Sequence, residues 1–268
     1  MRKLEDYKEI VGERVINRIK EDAEKLEGKR IFMINSTYLG GGVAEMLNSI
    51  VPMFNLSGVK VEWKVLHGTP EFFNVTKKIH NGLQGEDVNL SNKEKELYFK
   101  INERFSTFTH INRELYDLVV IHDPQPMPLI KFYRKEQPWV FRCHIDCSTP
   151  NPQVWDLFKS LIRLYDHIVV SKEEYKRDIT LPFTVIPPAI DPLSPKNKPL
   201  SEEFIRKYLG KFGVELNKPI ISQVSRFDKW KDPEGVIEVF KLVREEVDCR
   251  LVLCGSMALD DPEAVSYT

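Results

Sequence analysis

The sequence predicts an α/β fold built on a parallel sheet. Three observations carry this. Short apolar runs at 31–34, 59–66, 118–122, 138–141 and 168–170 alternate with stretches of helical periodicity. Several of these runs are near-continuous, as strands covered on both faces are. Their ends carry glycine, histidine and aspartate, and ligands of open parallel sheets sit at the carboxyl ends of strands.

The N-terminal stretch 4–27 reads as one helix, with Ile10, Val11, Val15, Ile19, Ala23 and Leu26 at helical spacing and Gly28 as its stop. It precedes the first strand and is therefore an extension added to the α/β core. The strand at 31–34 runs into a polar turn and then Gly40, Gly41 and Gly42, after which a helix begins. Bare N–H groups at such a helix start attract a phosphate or another electron-rich oxygen, and three glycines let it come close. A flexible turn is the competing reading. The spacing is neither that of a dinucleotide fingerprint nor that of a P-loop.

The run at 59–66 is the second strand. The stretch 67–91 reads as less regular. It sets Phe72 and Phe73 among Thr76, Lys77, Lys78, His80, Asn81 and Gln84. Mixed polar groups beside an apolar wall suit a sugar, and an ordinary surface helix and loop is the alternative. A helix at 93–109 leads to the strand at 118–122, which ends in His122 and Asp123. The strand starting at 138 ends near His144 and Asp146. These two clusters belong on adjacent strand ends facing the glycine loop. A metal would need a ligand set that no third strand clearly supplies, so hydrogen bonding to a polyhydroxyl substrate fits better.

A helix at 155–164 and strands at 168–170 and 183–186 close this domain. Pro187, Pro188, Pro192, Pro195 and Pro199 then mark a stiff hinge at 191–200. A helix at 201–212 and a strand at 219–225 start a new unit. Asp232 caps a helix whose first residue is Pro233, and 250–254 is the next strand. Arg226 and Lys231 stand between a strand end and that helix. Two cations together with helix amides suit a diphosphate; a salt-bridged surface loop is the alternative.

The chain has 268 residues, 39 basic against 40 acidic, and a net charge of −1, so the composition points to no nucleic-acid partner. No apolar run approaches the length needed to span a bilayer, which speaks against a membrane partner. The charged N-terminus lacks a signal core, so a cytoplasmic location is expected. Cys143, Cys147, Cys249 and Cys254 have neither zinc-finger nor redox spacing and read as buried thiols.

The order of motifs resembles a retaining GT-B glycosyltransferase of family 4, with two Rossmann-like domains. The segments NSTYLGGGVAEML, EFFNVTKKIHNGLQG, HDPQP, RCHIDCS, IPPAIDPLSPKN and QVSRFDKWKDPEGVI look like those of trehalose synthases of the glycosyltransferring type. The resemblance implies reversible transfer of glucose from ADP- or UDP-glucose to free glucose, giving trehalose. It implies no cofactor and no metal beyond the nucleotide-sugar donor. The glycine loop would lie near the donor's phosphates and the transferred sugar. Asp123 and His144, with Lys77 and Asn81, would face the acceptor glucose, and Arg226 and Lys231 would hold the diphosphate. The implied domains are a helical extension at 1–28, an acceptor-side Rossmann-like domain at 29–190, the hinge at 191–200, and a nucleotide-sugar-binding domain at 201–268.

That last domain is smaller than a Rossmann-like domain ordinarily is. The family's paired glutamates and its base-gripping residues are expected beyond Thr268, so the sequence reads as C-terminally truncated, with an open sheet edge that favours a homo-oligomer. A non-catalytic remnant binding glucose, trehalose or a partner chain is the second reading. An NAD-dependent oxidoreductase is the third, with neither the glycine fingerprint nor an acidic end to strand two.

Overall fold

A computed structural model describes residues 3–227 and 231–255. The chain divides into two units, Met1–Ile190 and Asp191–Thr268.

The N-terminal stretch departs from the single helix expected. A 3₁₀ turn, Leu4–Tyr7, leads into α1 (Lys8–Val11), and α2 (Glu13–Glu24) follows. Gly12 separates them at φ 83°, which a residue with a Cβ adopts only with strain. The break turns the expected apolar stripe outward. Ile10, Val11, Val15, Ile19 and Leu26 are exposed, while Leu4, Tyr7, Ile16 and Ala23 are buried.

The first unit then follows the α/β order. β1 (Arg30–Asn35) leads to α3 (Gly42–Leu56) and β2 (Lys60–Val65). The stretch read as irregular contains α4 (Pro70–Leu83), a correction the sequence could have supplied. Thr69 caps it, Pro70 fills its first turn, and Phe72, Val75, Ile79 and Leu83 share its buried face. α5 (Asn92–Ser106) is opened by a Ser91–Glu94 capping box. β3 (Leu118–His122), β4 (Trp139–Arg142), α6 (Pro152–Ile162), β5 (His167–Val170) and β6 (Phe183–Val185) complete the unit.

The sheet has strand order β2-β1-β3-β4-β5-β6, and all five pairings are parallel. Helices cover both faces. Ile31 and Met33 of β1 pack with Leu47 and Val51 of α3 on one side. Phe32 and Ile34, pointing the other way, join Phe72, Tyr98, Val119, Ile121, Trp139, Phe141 and Phe158 on the other. The α/β fold expected from the sequence is thus present, and the doubly wound sheet reverses its strand order at β1 and β3. Among the described residues, no helix is long and apolar enough to cross a membrane.

In the second unit, α7 (Glu202–Gly210) precedes β7 (Ile220–Val224), α8 (Pro233–Arg244) and β8 (Arg250–Cys254). β7 and β8 pair in parallel across α8. Among the described residues this sheet has two strands, and Val224, Val239 and Leu242 are exposed. Residues 186–190 and 195–200 are exposed too. Limited proteolysis is therefore expected to cut within 186–200 first, leaving a resistant first unit, because few packed contacts hold that backbone. A single resistant core running through 186–200 would contradict this.

Candidate functional site

The carboxyl edge of the larger sheet collects the chemistry. Ile34 of β1 stands in register with Ile121 of β3, and His122 of β3 with Arg142 of β4. The loop after β1 therefore neighbours the ends of β3 and β4, at the topological switch point where doubly wound sheets take their ligands. Gly40 and Gly41 have φ of 78° and 80°, and a Cβ added at Gly41 or Gly42 would meet open space. Gly41 caps α3. These glycines are thus needed for backbone conformation at two positions and leave the start of α3 approachable. Beside them Tyr38 lies edge-on to Trp63, with ring centroids 5.0 Å apart, and Trp63 donates Nε1–H to Asn35 at 2.9 Å.

Asp123 follows β3 at φ 64°, a left-handed conformation uncommon for a residue with a side chain. Its surroundings hold it there. Its amide donates to the Arg142 carbonyl at 3.0 Å, and its Oδ1 accepts from the His144 amide at 2.8 Å. The residues just beyond are anchored from α5 and from the turn after α6. Tyr98 donates to the Pro124 carbonyl, Asn102 to that of Gln125 at 3.1 Å, and Tyr165 to that of Met127 at 2.7 Å. Strain retained by so many contacts marks functional sites.

His122 and His144 stack with ring centroids 5.3 Å apart and share a hydrogen bond of 3.0 Å between Nδ1 and Nε2. Burial lowers both imidazole pKa values, and the Arg142 charge lowers them further, so both rings are neutral near pH 7. His122 is 4% exposed, and among the described residues its Nε2 has no partner. An unpaired buried N–H is rarer than an unpaired acceptor. Pairing of donors therefore assigns the shared proton to His122 Nδ1, which leaves His144 Nδ1 carrying an N–H of its own. Desolvation by the surrounding strands pushes the Asp123 carboxyl up to about 7, against the pull of the His144 amide and of Arg142. A carboxyl poised there can accept or donate a hydrogen bond, and beside an imidazole donor it matches a sugar hydroxyl, which does both.

These shifts predict a pH dependence of stability. Between about pH 4.5 and 6 the unfolded chain carries protons on both histidines, whereas the folded chain carries one on Asp123 instead. Unfolding thus takes up one net proton, and the cluster makes stability rise with pH by about 1.4 kcal/mol per pH unit. His122→Asn removes one of the two histidine protons, so its stability should change less steeply with pH by that amount. Equal slopes in denaturant titrations of the two proteins would contradict the neutral pair.

Other expected site residues lie elsewhere. Asp146 is exposed and binds the amide and hydroxyl of Ser148 at 2.9 and 2.6 Å, so it closes a turn and does not join Asp123. Lys77 is half-buried on α4. Asn81, also on α4, is 4% exposed. The end of α4 does reach the β4–α6 loop, where the Asn151 amide donates to the Gly82 carbonyl at 2.7 Å.

In the second unit Arg226 is half-buried and Lys231 exposed; Gln223 donates to the Lys231 carbonyl at 2.6 Å. Asp228, Lys229 and Trp230, part of the segment read as an anion site, lie outside the described residues. The expected help from helix amides is reduced. Asp232 caps α8 by accepting from the Gly235 amide at 3.1 Å, and Pro233 has no N–H to offer. The capping carboxylate thus takes one of the amides that an anion could otherwise use.

Sequence reasoning passed over Arg142. It ends β4 and is 6% exposed, with Nη2 donating to the Ile186 carbonyl at 2.6 Å and to Ser171 Oγ at 3.4 Å. A charged residue closing an otherwise apolar strand run was the available signal. Among the described residues, no group of three or more His, Cys, Asp or Glu could hold a metal ion.

Residues 33–177, more than half of the chain, match the family model described as trehalose synthase, N-terminal domain. A trehalose synthase of Pyrococcus horikoshii is 47% identical over 99% of this chain. The chain spans 65% of that relative's length. Among solved structures, the trehalose-6-phosphate synthase OtsA superposes with a TM-score of 0.64 at 14% identity, covering 89% of this chain and 67% of the other. A structure described as trehalose-6-phosphate from E. coli bound with UDP-2-fluoro glucose superposes with a TM-score of 0.60 at 15% identity, with the same coverage. At such identities these structures establish the fold, that of the GT-B glycosyltransferases. The family match and the shared fold together place the chain in the trehalose synthase family.

Proposed function

We propose that this chain carries the acceptor side and part of the donor side of a retaining glucosyltransferase that joins the glucose of ADP- or UDP-glucose to free glucose, reversibly, to give trehalose. The observation that carries the reading is the Asp123–His144 pair at the switch point of the sheet, within the segment matched by the trehalose synthase model. On this reading 1–28 is a helical extension, 29–190 the acceptor-side domain, 191–200 the hinge and 201–268 the nucleotide-sugar side.

Asp123 and the His144 imidazole hydrogen-bond the acceptor glucose, with Lys77 nearby on α4. Gly40–Gly42 leave room for the transferred sugar and the donor's phosphates. Arg226 and Lys231 hold the diphosphate. As the glycosidic bond breaks, negative charge grows on the leaving phosphate, and fixed cations stabilise that state more than the ground state. Retention then proceeds by attack from the departing side: the acceptor oxygen bonds to the anomeric carbon while its proton passes to the leaving phosphate. Two cations suffice for that charge, so the reading calls on no metal.

Release of nucleoside diphosphate from ADP- and UDP-glucose tests the reading, in a polypeptide extended to the length of the matched relatives. Release should require glucose. Release unaffected by glucose would mark hydrolysis and refute acceptor binding.

A further inference from the structure

His122 cannot meet a sugar directly. It ends β3 with 4% of its surface exposed, its Nε2 is buried, and its Nδ1 is engaged by His144. His144, in the loop after β4, is only half-buried and keeps its Nδ1 outside that contact. The two strand ends are tied twice: ring to ring at 3.0 Å, and from the His144 amide to Asp123 Oδ1 at 2.8 Å. The rings lie 13° from parallel, so the shared bond restrains the tilt of His144 as well as its place.

A contact between two imidazole nitrogens holds one proton, and there are two ways to place it. With the proton on His144 Nε2, a neutral His122 carries its own on the buried Nε2, where among the described residues nothing accepts it. His144 then shows a bare Nδ1 near the Asp123 carboxylate. A sugar hydroxyl brings a single proton and satisfies only one of two such acceptors. With the proton on His122 Nδ1 both difficulties go. No N–H is stranded, and His144 Nδ1 becomes a donor near an acceptor, the pair a hydroxyl needs.

We infer that His122 is a positioning residue of the acceptor site: buried beneath the strand ends, it donates Nδ1–H to His144 Nε2, so that His144 meets the acceptor hydroxyl with its own proton on Nδ1, next to the accepting carboxylate of Asp123. Its meaning for transfer rests on the proposed acceptor role of Asp123 and His144. The tautomer itself is set without any sugar.

Nitrogen-15 NMR of the 268-residue chain at about pH 8.5, with no sugar present, reads the tautomers. There Asp123 is ionised and both rings are neutral. The carbon-bound ring protons couple differently to protonated and bare nitrogens. His144 should show a protonated Nδ1 and a bare Nε2, with the bridging proton on His122 Nδ1. His122→Phe, which has no donor, should move His144 toward the Nε2–H form that free imidazole side chains favour. His122→Asn, whose amide can donate from nearly the same place, should keep the proton on Nδ1. A wild-type bridging proton on His144 Nε2, or a His144 tautomer unmoved in His122→Phe, would overturn the inference. If the phenylalanine variant does not fold, the wild-type spectrum decides by itself.

In a polypeptide of the relatives' full length, His122→Phe should raise KM for glucose about tenfold and leave KM for the nucleotide-glucose unchanged, with His122→Asn close to wild type. A shifted tautomer with KM for glucose unchanged would overturn the positioning role. If Asp123→Ala also leaves the glucose dependence unchanged, the acceptor reading itself has failed, and the tautomer is judged by the spectra alone.

Discussion

Asp123→Ala should lower kcat/KM for glucose by about 10- to 150-fold in a polypeptide of the relatives' full length, the loss of one charge-assisted hydrogen bond worth roughly 1.5–3 kcal/mol. Two contacts would go with the carboxylate. One is the proposed contact to the acceptor hydroxyl. The other is the 2.8 Å bond from the His144 amide, which keeps the β4 end in place. Asp123→Asn retains an oxygen for that amide and should lose less. Because the carboxyl is pushed up to about 7, the wild-type acceptor step should also weaken as pH falls through that value, where the ionised form is lost. In Asp123→Asn this limb of the pH profile should vanish. Initial-rate kinetics against glucose at several pH values check both. Unchanged glucose dependence in Asp123→Ala would remove the residue from the site.

The second large effect belongs to Lys231. Lys231→Ala in the same full-length polypeptide should lower kcat more than it weakens donor binding, by about 2–4 kcal/mol of transition-state stabilisation. The charge it would face is largest when the bond to the sugar is breaking. The backbone is left intact, because Gln223 holds the Lys231 carbonyl and not its side chain. With Asp232 already capping α8, the proposed site would lean more on its cations than on helix amides. Arg226→Ala should therefore have an effect of similar size. Single-turnover measurements separate chemistry from binding; a rise in donor KM with kcat unchanged would reassign Lys231 to ground-state binding alone.

Much of this was legible in the residues. The apolar run at 118–122 coincides with β3, because strands covered on both faces are written as unbroken apolar sequence, and the run at 250–254 coincides with β8, which is half-buried to exposed. The HDPQP and RCHID segments pointed to adjacent strand ends, and His122, Asp123 and His144 do meet there. What escaped depended on conformation or on depth. Gly12 sits inside a good helical pattern, and its positive φ breaks the helix and leaves Val15 and Ile19 exposed. The helix at 70–83 was hidden by its polar residues, although Thr69-Pro70 and the 72, 75, 79, 83 spacing announce it. Neither the left-handed turn of Asp123 nor the neutral state of the histidines can be read from letters, since both arise from neighbours on other strands.

Proton NMR of the reaction product tests the central claim most directly. Full-length polypeptide is mixed with nucleotide-glucose and unlabelled glucose, and the new anomeric signals are followed. The account predicts α,α-trehalose accumulating in step with nucleoside diphosphate, with neither formed when glucose is left out. A β-linked disaccharide, free glucose released from the donor, or a product that forms only when inorganic phosphate is added would contradict it.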